Sequence, residues 1–438
     1  MQDNTELKRA VGILGATMMG LGSIVGTGVF VSIAIAVEIA GSSIIVAIIL
    51  ASLVAICNGL SSAQLAANHP VSGGTYEYGY RRLNSRIGFV AGWTFLIAKS
   101  ASAATAALGF SLYLAQFFDW DNQWSIVSIS LCTIATITVI AVIGIKRNSA
   151  LNIIIVSITL TGLMLFLVGG ANHIWQTGER KSIIFSWKFD DLLQSTALMF
   201  VAFTGYGRIA TLGEEIKQPR VNIPRAIITT LVVSMLLYVA VAHISVSLSV
   251  EEATLNISTG SAPLVILARH FSPNWIASVV AISAMSAMLG VLLNLILGLS
   301  RVLLAMGRRN DMPPIVATVA NKTNVPIVAT LVVSLFVATI TLLGDIKLAW
   351  SFSAFTVLIY YSITNACALR LSPDERVYPV WPAWFGLTGC LFLAFWVEPF
   401  VWSTGLGIIA MGLVWKEVCH RVFKSPVMDK QNHEKSSH

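Results

Sequence analysis

The chain has 438 residues, 56% of them hydrophobic and only 11% charged, with a mean hydropathy of +0.78 and a formal net charge of +7. Soluble domains carry about 25% charged residues, so this composition excludes a soluble globular domain and defines a polytopic membrane protein. The positive balance alone would admit nucleic acid, but the charges sit between apolar segments, which points to a membrane surface and to no nucleic-acid partner. The first apolar stretch is too long for a cleavable signal and lacks a small-residue cleavage pattern. Cys57, Cys132, Cys367, Cys390 and Cys419 lie in or at the ends of apolar segments and have no disulfide or zinc spacing. No metal or other cofactor is expected.

In chain order, twelve membrane spans are predicted, at about 10–37, 42–66, 87–116, 124–145, 149–170, 191–213, 226–248, 273–305, 326–344, 346–370, 382–399 and 400–420. With the N-terminus in the cytoplasm, alternation places 21 Lys and Arg residues in inner segments and 5 in outer ones. Lys99 and Arg208 remain within spans. That asymmetry fits the positive-inside rule and supports a cell-membrane protein with both termini cytoplasmic.

The first span carries Gly22-Ser23-Ile24-Val25-Gly26-Thr27-Gly28-Val29-Phe30 at its midpoint. Glycine costs a helix roughly 1 kcal/mol relative to alanine, so the run predicts a break. A break in lipid is tolerated only where the freed backbone groups face protein, a cavity or a ligand. The second half-helix would present the amides of Gly26, Thr27 and Gly28, a site for a carboxylate. The first half-helix would present carbonyls near Ser23 and Ile24, a site for an ammonium or a cation. A zwitterion fits between the two ends. Gly22 and Gly26 also form a GxxxG pair, for which simple helix packing is the alternative.

The sixth span carries Ala202-Phe203-Thr204-Gly205-Tyr206-Gly207 at a corresponding depth. Paired interruptions of this kind suggest two five-helix halves of inverted topology, with a substrate at their interface. Three inner loops hold further patterns: Pro70-Val71-Ser72-Gly73-Gly74-Thr75-Tyr76, Glu214-Glu215-Ile216-Lys217-Gln218-Pro219 running on to Ile223-Pro224-Arg225-Ala226, and Ser300-Arg301 through Arg308-Arg309-Asn310-Asp311-Met312-Pro313. Each, taken alone, reads as a turn with charges on a solvated face.

In this order and spacing, over nearly the whole chain, these motifs resemble the amino acid–polyamine–organocation transporter superfamily. The resemblance implies an all-α membrane protein of the LeuT-type fold: 12 transmembrane helices, 5+5 inverted repeats and discontinuous helices 1 and 6. The expected organisation is a cytoplasmic N-terminus (1–9), a first repeat (10–170), an outer loop (171–190), a second repeat (191–370), two further helices (371–421) and a cytoplasmic tail (422–438). The implied function is secondary transport of amino acids by alternating access, as symporter, antiporter or exchanger coupled to protons or sodium. The implied contacts are Gly26, Thr27 and Gly28 amides for the carboxylate, with the Thr27 hydroxyl as a further donor. Carbonyls near Ser23, Ile24 and Phe203 would take the ammonium, with Thr204 and Gly205 completing the second break. Phe203 and Tyr206 would wall or gate the side-chain pocket.

Two departures stand out. Many sodium-independent members carry a lysine in the fifth span; here Ser157 and Thr159 occupy that region, as sodium ligands or as remnants of an ion site. Lys99 lies about 18 Å along the third span at 1.5 Å per residue. At that depth a lysine faces the protein interior and marks an ion or proton path, unless it is merely bonded to helix-end carbonyls. Arg208 stands where the family has an acidic or small residue, and it either snorkels, gates or meets the substrate's charge. The only acid well inside a span is Glu38. Buried cations without acids favour neutral or acidic amino acids and disfavour a polyamine or other amine carrier. A sensor that binds amino acids without moving them is the remaining alternative; an enzyme is not indicated, because the spans lack an acid–base constellation. Asn294 and Asn365 read as interhelical hydrogen-bond partners, His243 as a satisfied core histidine, and Asn256-Ile257-Ser258 as a weak glycosylation match.

Overall fold

The computed structural model describes residues 11–69, 73–118, 120, 123–143, 149–178, 188–211, 216–248, 262–320 and 325–422. Pro70, Val71, Ser72, Glu214, Glu215, the sequon at Asn256 and the tail after 422 lie outside them. The described chain is helical throughout apart from turns, with a single isolated β-bridge between Val11 and Ile216.

Helix α1 (Ile13–Ile24) stops at the glycine run, and the chain resumes through a wide π-turn (Gly28–Ser32) into α2 (Ile33–Ala40). Then follow α3 (Ile44–Asn68), α4 (Thr75–Arg82), α5 (Ser85–Phe117), α6 (Gln123–Ile143) and α7 (Ser149–Thr177). Helix α8 (Phe189–Phe203) tightens into a 3-10 turn (Thr204–Tyr206) and continues as α9 (Gly207–Thr211). The remainder is α10 (Pro219–Ser247), α11 (Pro263–Ala268), α12 (Trp275–Arg308), α13 (Ile327–Thr341), α14 (Ile346–Leu369), α15 (Trp381–Ala394) and α16 (Pro399–Val422). The short α11 was not expected, and α7 and α10 each extend several residues past the sequence-based bounds.

Seven helical stretches among the described residues are long and apolar enough to cross a bilayer, with Ile13–Asn68 as one of them, and α15 with α16 forms a pair bent by 113°. Twelve spans are more than length alone secures, because breaks leave α8 and α9 short and α13 has only 15 residues. Leu14, Val168, Leu236, Leu335, Leu343 and Phe392 are exposed on the outside of the bundle. In water such side chains would be a liability; in lipid they are the solvated surface.

Helix α5 is the axis. Its 33 residues reach about 50 Å, and Asn84 caps its start by accepting from the Ile87 amide at 2.8 Å. The run Ser100-Ala101-Ser102-Ala103-Ala104-Thr105-Ala106-Ala107 is buried throughout. Small side chains let α12 and α14 pack closely on it from two sides. Ser102 and Ser353 share a hydrogen bond at 2.7 Å across the α5–α14 seam.

The charged end of the bundle is built, not merely solvated. Gly73 and Gly74 have φ of +123° and +56°, which L side chains rarely adopt. They turn the chain into α4, whose Thr75 amide donates to the Tyr360 hydroxyl at 3.3 Å. Tyr76 and Tyr80 donate to the same Asp311 oxygen, at 2.7 and 2.5 Å, and Asp311 is fully buried. Burial first, then the Asp311 carboxylate, pushes both tyrosine hydroxyls up, so they stay donors. Arg309 pairs with Glu77 and lies 4.6 Å over the Tyr80 ring. The Gly-Gly-Thr-Tyr motif and the Asp311 turn, which read separately as loops, therefore form one unit. Beside it Arg82 donates to both Glu375 carboxylate oxygens and approaches His69 Nε2 at 2.9 Å.

Removing the acceptor with Asp311→Ala orphans the buried Tyr76 hydroxyl and the half-buried Tyr80 hydroxyl; at about 1.5–3 kcal/mol for a bond to a charged group, the melting temperature in detergent drops by several degrees, and Asp311→Asn recovers part of it. The Arg82 hydrogen bond holds Glu375 down to about 2, so its contribution is complete above its ordinary value of 4.5 and is lost only as pH falls towards 2. Burial, then Arg81 and Arg82, lowers His69. A depressed histidine loses stability as pH falls below its ordinary value of 6.5. Melting temperature measured from pH 7.5 to 5.5 is expected to fall, and His69→Gln to flatten that slope.

Candidate functional site

The two breaks meet at the centre of the bundle. Gly205 presses on the backbone of Ser23 and Ile24: a Cβ there would lie against the Ser23 carbonyl oxygen and 2.7 Å from the Ile24 nitrogen. Only glycine lets the two chains cross at this separation. Gly28 is under similar constraint from the Tyr238 hydroxyl, with Ala202 Cβ at 3.0 Å.

The open ends are largely satisfied from within. The Ile24 carbonyl accepts the Gly26 amide at 3.0 Å and the Tyr238 hydroxyl at 2.8 Å. The Thr204 carbonyl accepts the Tyr361 hydroxyl at 3.2 Å. Phe30 and Val29 amides return to the Gly26 carbonyl, each at 3.2 Å. Thus one of the three expected carboxylate amides, that of Gly26, is turned back on its own chain, and the expected ammonium acceptor at Ile24 is occupied. Thr27 and Gly28 open the second half-helix, where helix geometry leaves amides unpaired.

A cavity of about 220 Å³ adjoins the crossing. Ser23, Ile24, Thr27, Gly28, Thr204 and Gly205 line it, and its wall runs on to Gly73, Gly74 and the exposed Arg301 at the charged end. Towards the opposite end the helices are tied together: Tyr113 donates to the Phe30 carbonyl at 3.0 Å and the Trp350 indole to the Leu198 carbonyl at 3.1 Å.

Lys99 lies in this wall, 9% exposed, and its Nζ donates to Thr204 Oγ1 at 2.8 Å. Thr204 Oγ1 donates in turn to the Val201 carbonyl at 2.7 Å. Lys99 forms no ion pair among the described residues. Arg208 also lines the cavity, as does Asn294, and no carboxylate does among the described residues. The Asn294 Oδ1 atom is buried without a hydrogen-bond partner among the described residues.

Other expected residues lie elsewhere. Phe203 is buried behind the lining with its ring 5.2 Å from Tyr238, and Tyr206 packs 5.5 Å from Tyr361. Neither walls the cavity; that role falls to Tyr360, Tyr361, Phe95 and Trp350. Ser157 points to the outside of the bundle, and the Thr159 hydroxyl donates to the Ile155 carbonyl at 2.8 Å. They do not converge on a cation. No cluster that could hold a metal exists among the described residues. His243 is exposed on α10 rather than buried in the core. Glu38 faces Lys347 at 3.9 Å. Asn365 bridges to Asn58, as an interhelical partner would. Tyr238 and Tyr361 were missed; their signal is a phenol in an apolar span, where a buried hydroxyl needs a partner.

A bundle of long apolar helices around a cavity where two broken helices cross defines a multi-pass membrane protein. The amino acid permease family model matches residues 15–421. A Mycobacterium tuberculosis protein called an uncharacterized transporter is 39% identical over 414 residues, 93% of this chain and 90% of its own. A branched-chain amino acid permease of Bacillus subtilis is 26% identical over 94% of this chain and 91% of its own. A vacuolar cationic amino acid transporter of Arabidopsis thaliana is 23% identical over 85% and 65%. The chain belongs to the amino acid permease family.

The crossing is sensitive to a single methyl. Overpacking costs about 1–3 kcal/mol, and the backbone against Gly205 cannot yield as a side chain would. Gly205→Ala is expected to lower uptake roughly tenfold or more at unchanged membrane expression, whereas Gly407→Ala, with nothing within 4 Å, leaves it unchanged.

Proposed function

We propose that this protein is a secondary active transporter of neutral or acidic amino acids that works by alternating access. The observation that carries the reading is the cavity at the crossing of two broken helices, lined by half-helix ends and cations and by no carboxylate among the described residues. A cationic or polyamine substrate would enter against Lys99 and Arg301, with no carboxylate among the described lining residues to receive it. A zwitterion or anion finds the Thr27 and Gly28 amides and a positive wall.

In this reading the chain forms twelve spans of the LeuT-type arrangement, with 10–170 and 191–370 as inverted repeats and the Arg-rich end in the cytoplasm. The cavity then faces inward, and the Tyr113–Phe30 and Trp350–Leu198 bonds close the outer side. Transition to the outward state requires α1 and α8–α9 to move as a pair, because Gly205 locks them together. Coupling is to protons, to sodium or to counter-transported substrate. Ser157 and Thr159 do not make a sodium site in this arrangement, while Lys99, buried among helices α5, α8 and the cavity, is the residue placed to exchange a proton with the cavity.

The test is uptake of a panel of labelled amino acids into proteoliposomes, with pH and sodium gradients imposed separately and with preloaded vesicles. Uptake of neutral or acidic members under a pH gradient or on preloading, and its loss in Gly205→Ala, is the expected result. Binding of amino acids with no flux under any condition would instead make the protein a sensor, and flux of polyamines in preference to amino acids would overturn the substrate class.

A further inference from the structure

We propose that the preferred substrates are acidic amino acids, with Lys99 as the residue that receives the side-chain carboxylate and Asn294 as the acceptor for the ammonium. The proposal rests on the amino acid transport reading of the same cavity and narrows it.

Hydrogen-bonding capacity around the crossing is unevenly used. Three acceptors at the breaks are already engaged: the Ile24 carbonyl by Gly26 and Tyr238, the Thr204 carbonyl by Tyr361, and the Thr204 hydroxyl by Lys99. A further acceptor stands on α12: Asn294 lines the cavity, and its Oδ1 atom is buried without a partner among the described residues, so a side-chain rotation would bring it to the ligand. A buried polar atom of this kind costs stability unless something in the cavity satisfies it.

The donors show the opposite balance. An ammonium has three N–H groups, and Lys99 uses one on Thr204. Two remain, on a side chain 91% buried and in the cavity wall, with no carboxylate beside it among the described residues. The α-carboxylate of an amino acid is served by the Thr27 and Gly28 amides at the half-helix start. Lys99 therefore needs a second anionic group. A neutral side chain would leave a buried cation uncompensated, which is the costly arrangement for any ion pair site. A dicarboxylic amino acid supplies two carboxylates and one ammonium, matching two donor positions and one acceptor. Thr204 fixes the Lys99 ammonium from the second break, so the charge is presented at the crossing itself and not at the mouth where Arg301 is exposed.

The experiment compares aspartate and glutamate with their isosteric amides asparagine and glutamine, by uptake into proteoliposomes, for wild type, Lys99→Met, Thr204→Val and Asn294→Leu. Wild type is expected to take up the acids at least tenfold more efficiently, in kcat/KM, than the amides. The ratio is read by exchange from preloaded vesicles, which needs no proton gradient; Lys99→Met is expected to erase or invert it there, and elution at the wild-type position in size-exclusion chromatography shows that the variant is folded. Should Lys99→Met fail to fold, Thr204→Val, which removes only the hydroxyl that anchors the ammonium, is expected to reduce the acid-to-amide ratio severalfold. Asn294→Leu raises KM for acids and amides alike and leaves the ratio unchanged. A wild type that prefers amides or other neutral amino acids overturns the inference and leaves amino acid transport standing. An acid preference that survives both Lys99→Met and Thr204→Val overturns the role of Lys99. Transport of no amino acid overturns the reading on which the inference rests, and the inference with it.

Discussion

Two helices that break inside a bilayer leave backbone groups which no solvent can satisfy, and the centre of this molecule is organised by that requirement. The solution is to bring the two breaks into contact and to supply hydroxyls from neighbouring helices. Gly205 allows the contact by having no side chain against Ser23 and Ile24. Tyr238 from α10 and Tyr361 from α14 then close the Ile24 and Thr204 carbonyls. Both phenols approach from helices outside the broken pair, so the break is held by the bundle as a whole. What remains open, the start of the second half-helix and the wall beside it, is the cavity.

The same requirement explains what was legible in the sequence. Glycine runs at mid-depth in the first and sixth spans mark breaks directly, because glycine disfavours helix whatever surrounds it. A lysine 18 Å into an apolar helix must face protein, and Lys99 does, through a small-residue helix that cannot expose it. Facing is a different matter. Phe203 and Tyr206 belong to a segment where a 3-10 turn replaces the α-helix, so helical periodicity no longer says which side each residue shows. Ser157 and Thr159 stand two residues apart and therefore point to different faces of α7, one outward and one back onto its own helix. Asn294 and Tyr238 stand out in the sequence only as polar groups in apolar runs; what each one meets is set only once α12 and α10 are packed against the crossing.

The charged end shows a related limit. Arg308-Arg309-Asn310-Asp311 looks like a solvated turn because its residues are polar. Yet Asp311 is fully buried, reached by two tyrosines from a helix that begins more than 230 residues earlier in the chain. Long-range pairing of this kind cannot be read from composition, but its purpose can be argued. Helix α4 is short and amphipathic, and its glycine entry at 73–74 borders the cavity. Anchoring α4 to the end of α12 through Asp311, and to the turn before α15 through Arg82 and Glu375, fixes one rim of the cavity to the part of the bundle that does not contain the breaks.

That division bears on how the molecule moves. The elements tied through Asp311, Ser102–Ser353 and the small face of α5 form one body around α5, α12 and α14. The elements tied through Gly205, Tyr238 and the α3–α10 packing form another around α1, α8 and α9. Polar bonds join the two bodies at several points: Lys99 to Thr204, Tyr361 to the Thr204 carbonyl, Asn365 to Asn58 and, at the far end, Tyr113 to the Phe30 carbonyl and Trp350 to the Leu198 carbonyl, beside ring contacts such as Tyr206 on Tyr361. A packed apolar seam resists sliding because every displacement loses contacts on both sides, whereas a hydrogen bond can be exchanged for one to a ligand with little net change. In the proposed transport cycle, a substrate carboxylate that meets Lys99 beside Thr204 would act on the polar contacts between the two bodies, so that binding and movement would be coupled through the same few side chains.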